Sequence, residues 1–490
     1  MLIDWIKFRT ERSEAFRAVV MAALVALIFS LLVGCGSTGK IQQRLSEKML
    51  LGDYPGALVV VEEQKTKSFD GKNRLLYFLE RGMLLHVDGQ YEKSNVAFEE
   101  AKRIADELYT LSLSNEGFSL VSNDYALDYA GENYERTLIH LFSALNYILL
   151  DEPDSALVEI RQVGDYLRKL QVDSTNENVY QEDAFARYLS ALLYESGGEL
   201  DSAFVDYKKA AAAYRAYGSA YSVAAPPSLA PNAERVASRL GAWAQEDLHD
   251  RSDPVAPRVL PEGAGEVILL HYNGLSPIKS QDRYTIPFSR AWPLALAFQA
   301  GARTGDREDV NRAIGISSGI SGADVVSVAF PKFVDRPYAI ARMRPNASDA
   351  IEISGPELVE DIGAIAEKDL ADRIVRIRTK VIARAAIKYA LQKGAETAAR
   401  QAGGDYGDLL AVVTQITGNI ARYASEQADK RGWSTLPDQI WMSSIFLPEG
   451  THDFTVDFLN AQQVVIESHS ISGVQVAAGR RQFIIVRTVK

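Results

Sequence analysis

The 490-residue chain has a single cysteine, Cys35, so it can form no intramolecular disulfide and no cysteine-rich metal site. Its six histidines are scattered, none at the spacing of a metal-ligand pair. It contains no H-E-x-x-H, no Walker loop and no G-x-G-x-x-G after a strand, so those signatures of zinc, nucleotide and dinucleotide chemistry are missing. Positive charge is in deficit. A net charge of −11 and a pI near 5.3 argue against non-specific nucleic-acid binding and against adhesion to an anionic bilayer by charge alone. There is no low-complexity tract and no collagen or heptad period. Acidic pairs such as Glu62-Glu63 and Glu99-Glu100 are no acid/base couple, because adjacent helix residues point apart. What remains is 47% hydrophobic and 24% charged, the composition of a folded protein with room for two or three domains.

The amino terminus carries the first positive signal. Residues 1–17 have a net charge of +1 and precede the uncharged run Ala18–Val33, 16 residues long. A spanning helix needs ~20 apolar residues, so this run has the length of a secretory core instead. Leu32-Val33-Gly34-Cys35 follows and resembles a bacterial lipobox. Small residues before the cysteine suit a narrow protease groove, and the thiol is the acceptor for diacylglycerol. The expectation is a signal peptide over 1–34 and a mature chain starting at Cys35, with diacylglycerol and an N-acyl chain on it. Several acyl chains hold a protein to a membrane where one binds only marginally. Small polar residues over 35–40 read as a lipidated tether. Ser37 gives no acidic retention signal, so the expected location is the outer membrane, facing the periplasm. A signal anchor with an incidental cysteine is the alternative; charge, length, spacing and uniqueness all favour the lipoprotein.

Residues 41–245 show an internal period. In "RGMLLHVDGQYEKSNVAFEEAKRI", Gly82, Gly89, Tyr91, Ser94, Phe98 and Ala101 recur at the offsets of a tetratricopeptide repeat, which this stretch resembles. Small residues at 82 and 94 let two helices approach, and Phe98 plugs the space between them. The same frame places Ala57, Ala156 and Ala203 at the position of Ser94, in steps of 37, 62 and 47 residues. A regular array steps by ~34, so insertions are expected near 105–136 and 171–183. Such arrays leave a groove for an extended peptide or partner helix. The candidate groove residues are Tyr134, Arg136, His140, Asn146 and Tyr147; a helical hairpin bundle without a ligand is the alternative.

Pro226, Pro227 and Pro231 interrupt the helical pattern, a helix over "AERVASRLGAWAQEDL" closes the repeats, and 246–264 reads as a linker. From 265 to 490 the pattern is mixed. Five strand-like stretches precede residue 360, and "QIWMSSIFL", "HDFTVDFL", "QQVVIESHSI" and "RQFIIVRTVK" end the chain. Between them, Ile362, Ile365, Leu370, Ile374, Ile377, Val381, Ala385 and Tyr389 predict one face of a long amphipathic helix, with a second helix near 406–429. The fold class expected is therefore multidomain: an all-α tetratricopeptide-like solenoid, then an α+β domain closed by terminal antiparallel strands. "YAGENYERTLIHLFSALNYILL", "DAFARYLSALLYESGGELDSAFVDYKKA", "PKFVDRPYA", "IAEKDLADRIVRIRTKVIARAAIK" and "ADKRGWSTLP" resemble a poorly characterised family of bacterial tetratricopeptide lipoproteins. That resemblance implies architecture and envelope location and no established activity.

Three features bear on function. Gly315–Gly319, "GISSG", matches a G-x-S-x-G nucleophile pattern at Ser317, but the charged "GDREDVNRAI" before it is unlike the buried strand an elbow requires. A Gly/Ser-rich loop is the better reading, and no enzyme is expected. Arg373, Arg376, Arg378, Lys380, Arg384 and Lys388 crowd one helix of an acidic protein, either pairing with its own acids or docking an acidic partner such as a polyanionic glycan. Trp433 and Trp441 are sugar-stacking candidates or core anchors. Together these favour a lipid-anchored envelope scaffold with protein partners and no cofactor or metal. A glycan- or peptidoglycan-binding lipoprotein is the second reading, and a Ser317 hydrolase the third. No nucleic acid is expected as a partner.

Overall fold

The computed structural model describes residues 37–115, 127–173, 182–249, 253–299, 324–401 and 427–490. The leader, Cys35 and Ser317 lie outside them, as do residues 406–426 of the expected second helix. The residues from 427 to 430 are not helical.

The amino-terminal part is helical. The helices are α1 (Ser37–Leu50), α2 (Tyr54–Gln64), α3 (Arg74–Val87), α4 (Tyr91–Asn115), α5 (Asn133–Leu149), α6 (Pro153–Asp173), α7 (Ala184–Ser196), α8 (Leu200–Ala220), α9 (Leu229–Leu240) and α10 (Ala242–His249). They pack in consecutive pairs. Their starts are written locally. Asp53 accepts from the Gly56 amide at 2.9 Å and Asp183 from that of Ala186 at 2.7 Å, while Glu132 and Glu135 form a reciprocal capping box at α5.

The second pair shows why the repeat residues sit where they do. A Cβ on Gly82 would lie 2.4 Å from Cε1 of Phe98, so α3 and α4 touch at a distance only glycine allows. Ser94 donates its hydroxyl to the Gly82 carbonyl at 2.8 Å. Ala57, Ser94, Ala156 and Ala203, equivalent by the repeat frame, are all fully buried.

Some boundaries differ from the reading of the sequence. α1 starts at Ser37, so the expected tether through residue 40 is already helix; "STGKIQQRL" buries Ile41 and Leu45 against the next helix pairs. The closing helix is two helices, parted at Gly241, whose φ of +102° suits glycine alone. α4 continues to Asn115, and so takes up the front of the expected insertion.

The rest contains β1 (Ala264–Asn273), β2 (Ile278–Pro287), α11 (Phe288–Gln299), β3 (Val325–Val334), β4 (Arg342–Asn346), β5 (Glu352–Asp361), α12 (Ile362–Gln401), β6 (Gln439–Pro448), β7 (Gly450–Leu459), β8 (Val465–Val476) and β9 (Arg481–Thr488). Strands β5-β6-β1-β9 make one sheet in that order, with only β1 and β9 parallel. Strands β4-β7-β8 make a second sheet, and β2-β3 a separate antiparallel pair.

β1 is buried along its whole length because both of its faces are covered. Ile268, Leu270 and Tyr272 join the core of the helices, while Val267 and Leu269 meet Phe454, Val456 and Phe458 of the second sheet. The main sheet is thus the middle layer. The expected face of α12, buried or half-buried from Ile362 to Tyr389, meets two separate cores. Ile362, Ile365 and Ala366 enter the main core, Val375 in the middle is exposed, and Val381 to Ala390 pack on α11 and β3 in a core of their own.

Candidate functional site

The face where α3, α4 and α5 meet is filled by a segment of the same chain, residues 428–436. Trp433 is 2% exposed, its ring 5.8 Å from that of Phe98 and 6.0 Å from that of Phe142, both edge-on. Glu80 of α3 receives four hydrogen bonds. Ser434 donates its amide at 2.8 Å and hydroxyl at 2.7 Å to Oε1; Thr435 donates its amide at 3.1 Å and hydroxyl at 2.7 Å to Oε2. Burial pushes the Glu80 carboxyl up, and these donors pull it back toward the charged form. Glu135 of α5 accepts from the Trp433 amide at 2.7 Å. Arg431, 1% exposed, donates to the Leu127 carbonyl at 2.9 Å and to Asn73 at 3.1 Å, and stacks over Tyr129.

Beside this segment, His86 joins the helices to β1. Asn146 donates its amide protons to Ser94 at 2.9 Å and Asn95 at 2.8 Å, so its carbonyl oxygen faces His86 Nδ1 at 2.6 Å. Nδ1 therefore carries the proton, and Nε2 accepts from Tyr272 Oη at 3.1 Å. Burial lowers the His86 pKa to about 4, so the ring is neutral.

A charged cluster lies at the start of α5. Glu132 meets Lys279 of β2 and Arg373 of α12, and Arg373 also meets Asp369. Burial alone would raise Glu132, but the two cations hold it well below the usual carboxylate range. Glu135, one turn on, is pushed up to about 7, chiefly by burial and further by the Glu132 charge. Tyr129 donates its hydroxyl to Glu135 as well.

These contacts correct the expected open groove. Tyr134, Arg136 and Asn146 are buried. Arg136 donates to the Ala130 carbonyl at 2.7 Å and to Tyr166 at 3.2 Å. His140 bonds Glu159 at 2.8 Å, and half-buried Tyr147 packs on the main core. Arg136, His140 and Asn146 thus spend their polar groups on neighbouring helices, and Tyr134 and Tyr147 belong to the core.

The basic stripe is broken up in the same way. Arg373 is paired internally, Arg384 is 2% exposed, and Arg378 lies over the Phe330 ring at 5.6 Å. Lys380 and Lys388 are half-buried, and Arg376 is exposed. Trp433 is a core anchor and no sugar platform. Half-buried Trp441 packs on the sheet core and donates Nε1 to Gln439 at 3.0 Å. Among the described residues no group of three or more His, Cys, Asp or Glu could hold a metal, and no helix is long and apolar enough to cross a membrane.

Glu80, Glu135 and His86 escaped the sequence reading. A signal was there: each is a polar residue on the apolar face of a repeat helix, and "ADKRGWSTLP" stood out as a motif without a role. What paired them is 354 residues of separation between Glu80 and Ser434, which no local pattern bridges.

No protein-family model and no curated protein matches the chain. Among solved structures it is similar to the crystal structure of MamA protein, at 16% identity and a TM-score of 0.24 over 45% of this chain and 98% of that one. It is similar to BtubC (BKLC) from P. vanneervenii at 16% identity and a TM-score of 0.28, over 51% and 94% of the two chains. A tetratricopeptide repeat protein from Parabacteroides merdae is similar at 11% identity and a TM-score of 0.18, over 44% and 80%. At such scores the likeness is slight.

Proposed function

We propose that this chain is a lipid-anchored scaffold of the cell envelope that binds partner proteins through the outer face of its helical repeats. The observation that carries the reading is a row of valines. Two residues after each equivalent small position, Val59, Val96, Val158 and Val205 recur in α2, α4, α6 and α8, and they are 56%, 65%, 48% and 45% exposed. Single exposed apolar residues are ordinary. Four at one repeat position, on the second helix of each pair, form a periodic apolar row that the chain's own core does not use. The inner face is closed by Trp433 and its neighbours, so the outer helices are where a second protein meets the repeats.

The anchor rests on the leader and on Cys35. With the lipid in place the repeats would stand next to the periplasmic face of the outer membrane. The glycan reading draws less support, since Trp433, Arg373 and Arg384 are occupied within the fold.

The test is cross-linking in intact membranes, comparing the wild type with Val96→Lys/Val158→Lys. The scaffold reading expects one reproducible cross-linked partner with the wild type, lost in the variant at unchanged abundance and melting temperature. The same adducts with both proteins would refute the outer-face assignment.

A further inference from the structure

Arg487 of β9 sits across from Tyr272 of β1 and is 8% exposed. Its Nη2 reaches the Thr435 and Leu436 carbonyls, each at 3.4 Å, while Nε and Nη1 have no partner. Arg336 lies near. It donates Nε to the Ser276 carbonyl at 2.7 Å, Nη2 to the Ser434 carbonyl at 2.7 Å and Nη1 to Ser46 at 3.2 Å. Among the described residues neither arginine forms an ion pair. Burial lowers both pKa values to about 10; for Arg336 the Glu80 charge opposes the drop and the Arg487 charge contributes to it. Two guanidinium groups therefore share one buried region in which the Glu80 charge supports Arg336, while Arg487 keeps two buried donors without a partner. Burying a cation in that way is costly unless an anion joins it.

The acids of this region accept from other donors, and among the described residues none forms an ion pair with Arg487. Glu80 is held by its four donors from Ser434 and Thr435. Asp438 accepts from Tyr338 at 2.7 Å. Glu467 is paired with Lys490 at 3.1 Å and His469 at 2.8 Å. Asp88 accepts from Gln90 at 2.5 Å. The remaining neighbours are aromatic. Tyr272 stacks on His86 at 5.6 Å, and Tyr91 meets the same ring edge-on at 6.0 Å. Burial raises the Tyr54 hydroxyl and the Arg487 charge opposes the rise, so the two residues sense each other. Tyr54 and Tyr91 are half-buried and link the arginines to the surface.

We propose that Arg487, backed by Arg336 and flanked by Tyr54 and Tyr91, binds one small anionic group, a carboxylate or a phosphate. Guanidinium donors and tyrosine hydroxyls are the usual partners of both groups. The site lies between the first helix pairs and the carboxy-terminal strands, so an occupied site ties the two ends of the described chain together. It does not depend on the outer-face reading.

The experiment is thermal unfolding of the full chain with inorganic phosphate and, separately, acetate, at ionic strength matched with chloride. Binding at ten times Kd raises the midpoint by about 1–2 °C for a chain of this size, and the rise continues with the logarithm of anion concentration. A response to phosphate alone names a phosphate ligand, and one to acetate alone a carboxylate. Arg487→Gln should abolish the shift and fold at least as stably as the wild type, since it removes an uncompensated charge. Should that variant fail to fold, Tyr54→Phe/Tyr91→Phe should weaken the response several-fold. No shift with either anion, or a shift unchanged in the variants, would overturn the proposal.

Discussion

Replacing Glu80 tests how the helices hold the carboxy-terminal part. In the wild type its two oxygens accept two amides and two hydroxyls from Ser434 and Thr435. Glu80→Gln keeps the shape. Its amide oxygen still serves Ser434, and the Thr435 hydroxyl can rotate to accept from the new NH2 group. The Thr435 amide then faces a donor. One stranded buried donor costs about 1–3 kcal/mol. Glu80→Ala strands all four around a hole; if entering water satisfies half of the loss, about 2–6 kcal/mol remains. Both variants also remove the negative charge that supports Arg336. The assay is urea unfolding followed by tryptophan fluorescence, because Trp433 lies inside this contact. The expected order of midpoints is wild type, then Gln, then Ala, with the Ala emission shifted to the red under native conditions. A Gln variant as stable as the wild type would refute the claim that the carboxylate's four acceptances hold the segment. So would Ala and Gln variants of equal stability.

Gly82→Ala should destabilise by about 1–3 kcal/mol, since the new methyl meets a Phe98 ring already packed on Trp433; thermal unfolding checks this, and no change would mean the helices can part freely. Glu135 supplies a pH dependence. Its folded pKa, about 7, is above the ordinary 4.5, so its contribution is complete below 4.5 and is lost as pH rises through 7. Lowering pH from 8 to 6.5 should then add about 1 kcal/mol, and Glu135→Gln should flatten that slope in urea titrations at several pH values. His86 and His271, depressed to about 4 and 3, work the other way: their contribution is complete above 6.5 and is lost as pH falls through those values, so stability turns over below 6.5. Cys35→Ser should leave the leader uncleaved and the protein without acyl chains, which intact-mass spectrometry reads directly.

Local order was legible wherever one helix pair or one strand explained its own residues. Gly82, Ser94 and Phe98 define a contact twelve to sixteen residues long, and spacing alone places it. The seven strand stretches of the two larger sheets alternate or run apolar because each sheet packs at least one face on a core, and β3 alternates against α11 and α12. The site was not legible for the same reason. Tyr134, Arg136 and Asn146 have the polarity of groove residues, and that polarity is spent on partners within the chain. Arg373 looks like a free cation until Glu132, 241 residues earlier, is folded against it. Composition reports that such residues are polar; only the pairing of distant segments tells whether water, a ligand or the protein itself meets them.

That pairing changes what a repeat array can do. An empty inner face gains its stability from the helix pairs alone and keeps its donors for a visitor. Here the face is spent on Trp433, Ser434 and Thr435, and its carboxylates Glu80 and Glu135 are matched to main-chain amides that a foreign peptide would also present. A competing peptide would have to replace an attached segment that also carries Arg431 into contact with Asn73 and Leu127. Attachment raises the effective concentration of the resident segment to roughly millimolar or more, so a free peptide with the same contacts loses the competition. Partner binding on the inner face would therefore require the whole segment to leave, whereas binding on the outer valines requires no rearrangement. The inner face is thus sealed by the protein's own chain, and under the proposed scaffold reading a partner would meet the outer helices instead.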